Sequence, residues 1–571
     1  MNWYISNINN IEIKDNITFS IKSPKLSVFI DGYILPRISF FEEYKNEKPE
    51  ALVQYLYSRF GNEFINYIKG SFVIVIKDDK KFQVYTDRHA TVKCFYFQTK
   101  ENFIITNSLN KLKENIELRF SKENAAIFTL FNHFIGDLTL FEEVYQLKPA
   151  SMINISTDSF VISNYWKPES LFNKKDKGYS PNKFANDWNK IIRQYHDYLN
   201  PKKISLTLTG GNDSRMILAA LLANNITPLN MTYGDPKSGD VIVAKKICDK
   251  LNLPFKNYFV ENPTADWFHS IINKEVLPNG NSLVNIHRAH RIEAIKQLKK
   301  DNSKVEMLYT GLVGGEYIKR PSYNNVSMPR IYETWLTLKS NHQKKNYISK
   351  ILQSKGLKTD LLNLENIISN LDRLIIPKGS LNSNQIKFIH LYSYYAVTHH
   401  TQDPSLFKSH IKYIVNPYMD IDFLEALSKS DKWYLNRKIN HPLEKVWHSL
   451  LQTKITHILY QELSSVPFAK NGEYTGLEML KTPLKYLFKR FWRRVLKRTT
   501  TYERNFAMGS WLYKFSKIHI NQIQPEISDI FEDNYLKKLL ENIKDRKSEE
   551  QWHLITAPIN LDLNYTLFKK D

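Results

Sequence analysis

Residues 204–223 read ISLTLTGGNDSRMILAALLA, and this stretch predicts a buried strand, a glycine turn and the start of an apolar helix. Apolar residues alternate with Ser and Thr as far as Thr209, two glycines then interrupt the pattern, and the last eight residues form helices readily. The turn therefore lies at a helix N-terminus, where unpaired backbone N–H groups and the helix dipole favour an anion. Gly210 and Gly211 allow the backbone to approach a phosphate closely.

The side chains of this turn indicate a divalent cation. Thr209 and Ser214 provide hydroxyl donors, whereas Asp213 would repel a phosphate unless a cation lay between them, so its presence indicates Mg²⁺. The G-x-x-x-x-G-K-[ST] pattern of the Walker P-loop is absent. A Gly-Gly turn with a Ser or Asp helix cap is the alternative interpretation of the same residues.

The heptapeptide TGGNDSR at 209–215 resembles the S-G-G-x-D-S pyrophosphate loop of the ATP pyrophosphatases, which convert ATP to AMP and pyrophosphate. It is most similar to the asparagine-synthase branch of that family. The resemblance implies an α/β synthetase domain with a parallel sheet and a PP-loop that binds ATP and Mg²⁺. The ATP-binding residues that it implies are Leu208, Thr209, Gly210, Gly211, Asp213, Ser214, Arg215, Tyr233, Thr310 and Gly311. Leu208 and Tyr233 stand where the family's backbone receives the adenine.

The elements after the turn agree with a parallel sheet. Pro228–Tyr233 predicts a second strand, residues 240–251 predict the next helix, and Met307–Tyr309 predicts a third strand. Strands that alternate with helices at this spacing favour parallel pairing, with ligands at the carboxyl ends of the strands. For Tyr233, ordinary packing against the sheet is the alternative role.

The segment TGLVGGE at 310–316 is a second glycine turn, and it resembles the family's S-G-D-G-A-D-E segment, which approaches the ribose and carries a metal ligand. Leu312 and Gly315 replace the two aspartates of that segment. Asp213 and Glu316 are therefore the metal ligands that the resemblance implies, and both are candidate catalytic residues. Whether one or two Mg²⁺ ions bind stays open.

Two later segments complete the expected synthetase site. NPYMD at 416–420 resembles the family's V-P-F-L-D segment, which closes the site. VPFAKNG at 466–472 resembles a loop whose lysine stabilises negative charge as the acyl-adenylate reacts, which makes Lys470 a third candidate catalytic residue. A solvated surface lysine is the alternative interpretation of Lys470. Long helices are predicted over 386–397 and 442–459.

Residues 1–165 predict an antiparallel α+β domain, with short β-like runs and a helical pattern at 51–59. Segments of this region, among them GSFVIV at 70–75 and FEEVYQLKPA at 141–150, resemble the N-terminal glutamine amidotransferase domain of asparagine synthases. The resemblance implies an antiparallel sandwich. It departs from the family at the catalytic cysteine, because residue 2 is Asn. Asp31 and Lys69 also stand where the family's glutamine pocket has Asn and Asp.

We therefore expect a degenerate domain without glutaminase activity. Lasso-peptide cyclases and β-lactam synthetases have the same plan and also lack this cysteine. The predicted domains are the amidotransferase-like domain at 1–165, a poorly ordered linker at 166–190, the synthetase domain at 191–480 with a largely helical C-terminal part, and a basic helical extension at 481–571.

Residues 481–498, KTPLKYLFKRFWRRVLKR, predict an amphipathic helix whose polar positions are nearly all Lys or Arg. Such a helix suits contact with an anionic membrane or an acidic substrate. A helix packed on the domain with a basic outer face is the alternative. No RNA- or DNA-binding motif accompanies it, so no nucleic acid partner is expected.

Composition sets the wider limits. The chain has 571 residues, a formal net charge of +22 and two cysteines, Cys94 and Cys248. This size suggests two or more domains, and so few cysteines argue against a disulfide framework. No apolar run approaches the roughly 20 residues that span a bilayer, and no signal-peptide pattern opens the chain, so a cytoplasmic protein is expected. The charge is compatible with nucleotides, acidic polymers or an anionic membrane.

The function that the sequence predicts is an ATP-dependent ligase that adenylates a carboxylate and joins it to an amine, without glutaminase activity. The carboxylate belongs to a peptide or a glycan, and a weaker alternative is asparagine synthesis from aspartate and free ammonia. A pseudoenzyme that binds nucleotide and scaffolds a partner is the alternative from another class. Nucleotide or tRNA modification by another pyrophosphatase branch would require an RNA-binding appendage.

Overall fold

The structure is a computed structural model. It describes residues 2–7, 14–19, 21–22, 26–78, 81–156, 159–261, 263–276, 286, 289–319, 330–375, 381–393, 402–436, 450–468, 475–495, 513, 515–543 and 549–569. Among these residues no helix combines the length and the hydropathy that a bilayer-spanning segment requires.

The first region folds into two antiparallel sheets. One sheet has the strand order β2-β1-β8-β7-β9, and the other has the order β11-β10-β6-β5-β4-β3. The strands are β1 Tyr4–Ser6, β2 Lys14–Asp15, β3 Ile21–Lys22, β4 Leu26–Pro36, β5 Ile68–Asp78, β6 Lys81–Thr86, β7 Phe95–Gln98, β8 Phe103–Thr106, β9 Val144–Gln146, β10 Ser151–Ser156 and β11 Ser159–Asn164.

Strand β5 shows why the two sheets stack. Its side chains alternate between two faces, as the period of a strand requires. Val73 and Val75 pack in a core with Trp3 and Ile105 of the opposite sheet. The intervening isoleucines of β5 pack in a separate core with Leu52 and other residues of the helix at 49–60. The sandwich is therefore flanked by helices, and the predicted antiparallel α+β domain is confirmed.

A parallel sheet follows, with the strand order β14-β13-β12-β15-β16. Its strands are β12 Ile204–Thr207, β13 Leu229–Tyr233, β14 Phe255–Tyr258, β15 Met307–Tyr309 and β16 Tyr413–Val415, and every pair is parallel. Strand β12 is the central strand of this sheet, and its residues Ile204, Ser205 and Leu206 are buried. Because Leu206 lies opposite Tyr309, the chain leaves β12 and β15 side by side at the same edge.

The α-helices are α1 Phe41–Tyr44, α2 Pro49–Phe60, α3 Leu109–Asn115, α4 Lys122–Phe131, α5 Pro181–Leu199, α6 Asn212–Ala223, α7 Gly239–Leu251, α8 Ala265–Ile271, α9 Ala289–Asp301, α10 Gly314–Ile318, α11 Ile331–Trp335, α12 Asn341–Ser354, α13 Leu364–Ile375, α14 Ser383–His390, α15 Gln402–Phe407, α16 Ile421–Lys429, α17 Leu450–Leu459, α18 Gly476–Lys481, α19 Pro483–Val495, α20 Pro525–Ser528, α21 Tyr535–Ile543 and α22 Glu549–Phe568. The predicted helices over 386–397 and 442–459 are described only in part, as α14 and α17.

The structure differs from the predicted linker at 166–190. Ser180 caps α5, Pro181 occupies its first turn, and Trp188 is buried against the parallel sheet's core. The lysines and prolines before α5 suggested disorder, but the apolar face of the following residues is long enough to make a packed helix. Residues 181–190 therefore form the first part of a helix that packs on the core of the parallel sheet.

The C-terminal residues also pack more closely than an extension would. The ring centroid of Phe568 in α22 lies 5.8 Å from that of Phe141, and the ring centroid of Tyr565 lies 5.3 Å from that of Phe120. These partners belong to the first region, so the end of the chain returns to the amidotransferase-like domain. Sequence distance concealed this contact.

Candidate functional site

The glycine turn between β12 and α6 is held in shape by its own hydroxyl groups. The Thr209 N–H donates to Ser214 Oγ at 3.0 Å, and the Gly211 N–H donates to Thr209 Oγ1 at 3.3 Å. The Gly210 N–H donates to Asp240 Oδ1 at 3.2 Å. The predicted strand, turn and helix are all present, and the first N–H groups of α6 lie at the carboxyl edge of the sheet, where an anion is favoured.

Asp213 is the point at which distant segments meet. Gln452 of α17 is fully buried, and its Nε2 donates to Asp213 Oδ1. The Tyr418 hydroxyl, from the segment 416–420, donates to the Asp213 backbone carbonyl at 2.8 Å. The PP-loop-like turn, the segment 416–420 and α17 thus converge on one residue, with α17 at its carboxylate and Tyr418 at its backbone carbonyl. Tyr418 and Gln452 were not singled out from the sequence, since a lone Tyr or Gln carries no motif.

The second glycine turn packs directly on the first. A Cβ atom placed on Gly311 would lie 3.2 Å from the Ser214 backbone nitrogen, and one on Gly314 would lie 2.6 Å from the Tyr418 ring. A side chain at residue 314 would overlap the Tyr418 ring, and one at residue 311 would be tight against the first turn, so the close approach favours glycine at both positions. The structure therefore brings Gly311 beside Asp213 and Ser214, as the sequence predicts.

Glu316 and Asp213 form a pair of like charges. Burial raises the pKa of Glu316 above its ordinary value, and the charge of Asp213 raises it further. The Lys319 ammonium acts in the opposite direction. Both Lys319 Nζ and the Asp213 carboxylate oxygens lie 3.2–3.4 Å from the position that a Cβ on Gly315 would take. The absence of a side chain at residue 315 therefore leaves room for the Lys319 ammonium near Asp213.

These residues fit one Mg²⁺ ion. In the described part of the chain, His, Cys, Asp and Glu side chains do not gather in threes as a metal centre. Mg²⁺ does not need such a centre in nucleotide sites, because it keeps several waters and takes phosphate oxygens as ligands. Asp213 and Glu316 could supply the protein ligands, and their mutual repulsion is what a bound cation would relieve.

Val313 introduces backbone strain at the same turn. Its φ is +56°, in the left-handed region that a β-branched residue rarely adopts, and it precedes the first turn of α10. Such a conformation costs of the order of 1–3 kcal/mol and is found mainly at functional sites. Its side chain is buried, and the resembled family segment has glycine at this position.

The residues expected around the adenine lie at the sheet edge. Leu208 is fully buried, its N–H donates to the Met231 carbonyl at 2.8 Å, and its carbonyl accepts from Thr232 Oγ1. Tyr233 is half-buried at the end of β13, with the Arg291 guanidinium 5.6 Å from its ring centroid. The N–H and the carbonyl of Leu208 thus already have hydrogen-bond partners within the protein.

Arg215 has a different role from the predicted one. Its guanidinium is buried and donates to the carbonyls of Val466 at 2.6 Å and Pro467 at 2.5 Å, and it lies 4.8 Å from the Phe468 ring centroid. A side chain engaged in this way does not reach a phosphate in front of the turn. The family resemblance implied that Arg215 binds ATP, but tertiary packing directs its side chain toward the segment 463–468.

Lys470 lies outside the described residues. The segments on either side of it are described: Pro467 pairs with Thr475 in an antiparallel bridge. Pro467 also accepts from Arg215, the residue next to Ser214, so Pro467 lies beside the first glycine turn.

A buried ionic junction joins the two domains. Lys69 Nζ lies 2.8 Å from Asp420 Oδ2 and 2.8 Å from Asp422 Oδ2, and Arg37 Nε lies 2.8 Å from Asp422 Oδ1. Burial opposes the charge of Lys69, but the two carboxylates raise its pKa above the ordinary value. Lys69 therefore fixes Asp420 and Asp422 to the first domain.

Asp31, the other residue that departs from the family's pocket pattern, is also hydrogen-bonded within the protein. Asp31 accepts from Trp3 Nε1 at 3.1 Å and from Asn107 Nδ2 at 2.6 Å. Cys94 and Cys248 are both buried, and burial raises the pKa of each thiol, that of Cys248 to about 12. Neither cysteine is a thiolate nucleophile in this state.

The first domain also contacts the neighbour of Glu316. His89 Nε2 lies 2.9 Å from the Tyr317 hydroxyl, and both side chains are buried. Burial lowers the pKa of His89 to about 3, so this histidine is neutral at physiological pH. The contact links the amidotransferase-like domain to α10, which carries Glu316.

Comparison with known proteins supports this architecture in the first region. Residues 45–166 match the model of the glutamine amidotransferase domain family, which confirms the predicted resemblance of that region. The match spans less than half of the chain. No curated protein sequence is significantly similar to it.

Solved structures give only distant alignments. NMN synthetase from Francisella tularensis aligns with a TM-score of 0.22 and 10% identity, over 39% of this chain and 96% of that one. Glutamine-dependent NAD+ synthetase from Acinetobacter baumannii, in complex with ADP, aligns with a TM-score of 0.18 and 13% identity, over 50% and 69%. Glutamine PRPP amidotransferase from B. subtilis, complexed with ADP and GMP, aligns with a TM-score of 0.19 and 8% identity, over 46% and 60%. TM-scores this low do not establish a shared fold, and the architecture rests on the chain's own sheets.

Proposed function

We propose that this protein is an ATP-dependent carbon–nitrogen ligase, which activates a carboxylate as its adenylate and joins it to an amine. The observation that supports it best is the convergence on Asp213 of the two glycine turns, Tyr418 and Gln452, with Glu316 close enough to interact electrostatically. If Asp213 only capped helix α6, it would not need Glu316 as a second acid beside it.

In the proposed reaction, a substrate carboxylate oxygen attacks the α-phosphorus of ATP, and the bond to the bridging oxygen of pyrophosphate breaks. The N–H groups at the start of α6 and the hydroxyls of Thr209 and Ser214 receive the pyrophosphate. Asp213 and Glu316 would hold Mg²⁺, which would supply charge neutralisation of the leaving group when bound. The amine nitrogen then attacks the acyl carbon, AMP leaves, and the ammonium proton passes to solvent.

The proposal includes the absence of glutaminase activity. The two buried cysteines, with their raised pKa values, support it, as do the hydrogen bonds that Trp3 and Asn107 donate to Asp31. The intact protein should therefore form glutamate from glutamine no faster than a buffer control. The amine would then be one other than ammonia that this chain releases from glutamine, and the carboxylate would belong to a peptide or a glycan.

A nucleotide-binding scaffold is the second candidate. Gly315 in place of an acid and the Lys319 ammonium near Asp213 favour it, because both reduce the negative charge available for Mg²⁺. Asparagine synthesis from aspartate and free ammonia is a weaker third candidate.

Isotope exchange between pyrophosphate and ATP distinguishes these candidates. The protein is incubated with Mg²⁺, ATP and labelled pyrophosphate, together with peptide carboxylates, uronic-acid oligosaccharides or aspartate in separate reactions. A ligase exchanges label only with its own class of carboxylate. Tight binding of ATP without exchange, for every carboxylate and amine offered, would favour the scaffold.

A further inference from the structure

Helix α19, Pro483–Val495, presents an apolar stripe to solvent. The exposed fractions are 80% for Leu484, 62% for Phe488, 62% for Phe491, 45% for Trp492 and 53% for Val495. Their spacing of four, three, one and three residues places all five on one side of a helix. Large apolar side chains exposed together in this way mark an interaction surface.

The opposite side of α19 holds the helix on the protein. Tyr486 is buried in a small core with Met479 of α18, and Lys489 Nζ lies 2.8 Å from Glu478 Oε1. On a helical wheel Tyr486 lies roughly 160–200° from Leu484, Phe488 and Val495. The stripe therefore points outward because the far side of the helix is anchored.

The charge around the stripe selects the partner. Residues 481–498 contain eight Lys or Arg and no Asp or Glu, and Lys481 and Lys485 are exposed. A second copy of the same helix would bring these cations together, which is unfavourable. Nucleic acid would satisfy the cations but would leave the apolar stripe in water. A surface that is anionic outside and apolar a few ångströms deeper satisfies both.

We propose that α19 docks the protein on an anionic lipid surface, lying parallel to it with Leu484, Phe488, Phe491, Trp492 and Val495 at the boundary of headgroups and acyl chains. The lysines would remain at the level of the headgroup phosphates. This proposal does not depend on the reaction proposed above.

The test uses the full chain and vesicles of phosphatidylcholine, alone or with about one third phosphatidylserine, in a flotation assay. Binding should occur with the mixed vesicles and weaken at high salt, because the attraction to anionic lipid is screened. Phe488→Ser combined with Trp492→Ser should lower the affinity by about tenfold or more, from the loss of apolar area. Lys481→Gln combined with Lys485→Gln should lower it by roughly fivefold per charge.

Tyr55→Ser and Val161→Ser are matched controls, since both residues are similarly exposed but lie in the first domain. They should leave vesicle binding unchanged, and all variants should keep the wild-type thermal midpoint. Equal binding to both kinds of vesicle, or none, overturns the proposal. The proposal is also overturned if sedimentation velocity shows a dimer that the Phe488 and Trp492 substitutions dissociate, because the stripe would then be an interface between two copies of the chain.

Discussion

Among the residues that the structure describes, two groups of partly or fully buried acids have opposite electrostatic surroundings. At the junction between the domains, Asp420 and Asp422 lie against Lys69, and Arg37 adds a second cation. At the sheet edge, Asp213 and Glu316 interact with each other, and the partner of the Asp213 carboxylate is the neutral amide of Gln452.

The pKa of Asp422 expresses this difference, whereas burial raises the pKa of its neighbour Asp420 in spite of Lys69. Burial raises the pKa of Asp422, but Lys69 and Arg37 outweigh it and bring the value down to about 2. Burial and Asp213 together raise the pKa of Glu316. Asp422 is neutralised by cations of the fold and serves the structure, whereas Asp213 and Glu316 still repel each other beside Lys319, and these are the acids that we propose for Mg²⁺ binding.

The largest expected effect is at the junction. Lys69→Met leaves Asp420 and Asp422 buried without their shared cation, and it should cost about 3–5 kcal/mol in the free energy of unfolding. Urea denaturation followed by circular dichroism measures it. Lys45→Met, which removes an exposed partner of Glu42, is the matched control and should cost less than about 1 kcal/mol. A similar small loss for both variants would show that the junction does not stabilise the domain contact.

Asp213→Asn should have the next largest effect, on activity. It keeps the shape of the side chain but removes a charge that Mg²⁺ needs, so pyrophosphate release should fall by roughly 10²–10³-fold. Asp249→Asn, on the exposed side of α7, should release pyrophosphate at the wild-type rate. If Asp213→Asn leaves turnover and Mg²⁺ dependence unchanged, Asp213 is a helix cap and the metal assignment is wrong.

Lys470→Ala should separate binding from chemistry. If this lysine acts on charge that develops after ATP has bound, turnover should fall by about tenfold or more while the affinity for a non-hydrolysable ATP analogue, measured by calorimetry, stays nearly constant. Lys470→Arg should rescue poorly, because the planar guanidinium differs in shape from an ammonium. A surface lysine would leave both variants within about twofold of wild type.

The smallest effect is expected from Glu316→Gln, and its sign is the informative part. Because the folded-state pKa of Glu316 is raised, the wild-type protein gains stability as the pH falls through that pKa. In buffer without Mg²⁺, Glu316→Gln should therefore stabilise the protein at pH 8 by no more than about 1 kcal/mol and have no effect in acid. Thermal melts at several pH values measure this.

Asp422 should show the opposite dependence on pH. Its pKa is lowered, so its contribution to stability is present above the ordinary carboxyl range and is lost as the pH falls toward 2.

For Glu316→Gln, a loss of stability at pH 8 without Mg²⁺ would mean that Asp213 and Glu316 do not repel each other.

The sequence by itself determined the local order of the synthetase core. Residues 204–223 form the predicted strand, turn and helix, Tyr233 ends one predicted neighbouring strand and Thr310 follows the other, because periodicity and glycine positions act within a few residues. The antiparallel first domain was predicted in the same way. The roles of Asp213, Glu316 and Lys470 in ATP chemistry stay predictions.

Only the tertiary structure decided which charges meet. Lys69 and Asp420 are far apart in the chain, and composition gives no sign that they pair, whereas Arg215 follows the anion-binding turn yet is directed toward residues 463–468. Tertiary packing likewise decided the position of Lys319 near Asp213 and the exposure of the apolar stripe of α19 to solvent. A side chain's partner depends on how separate elements pack, and packing is a property of the whole core, which no local pattern contains.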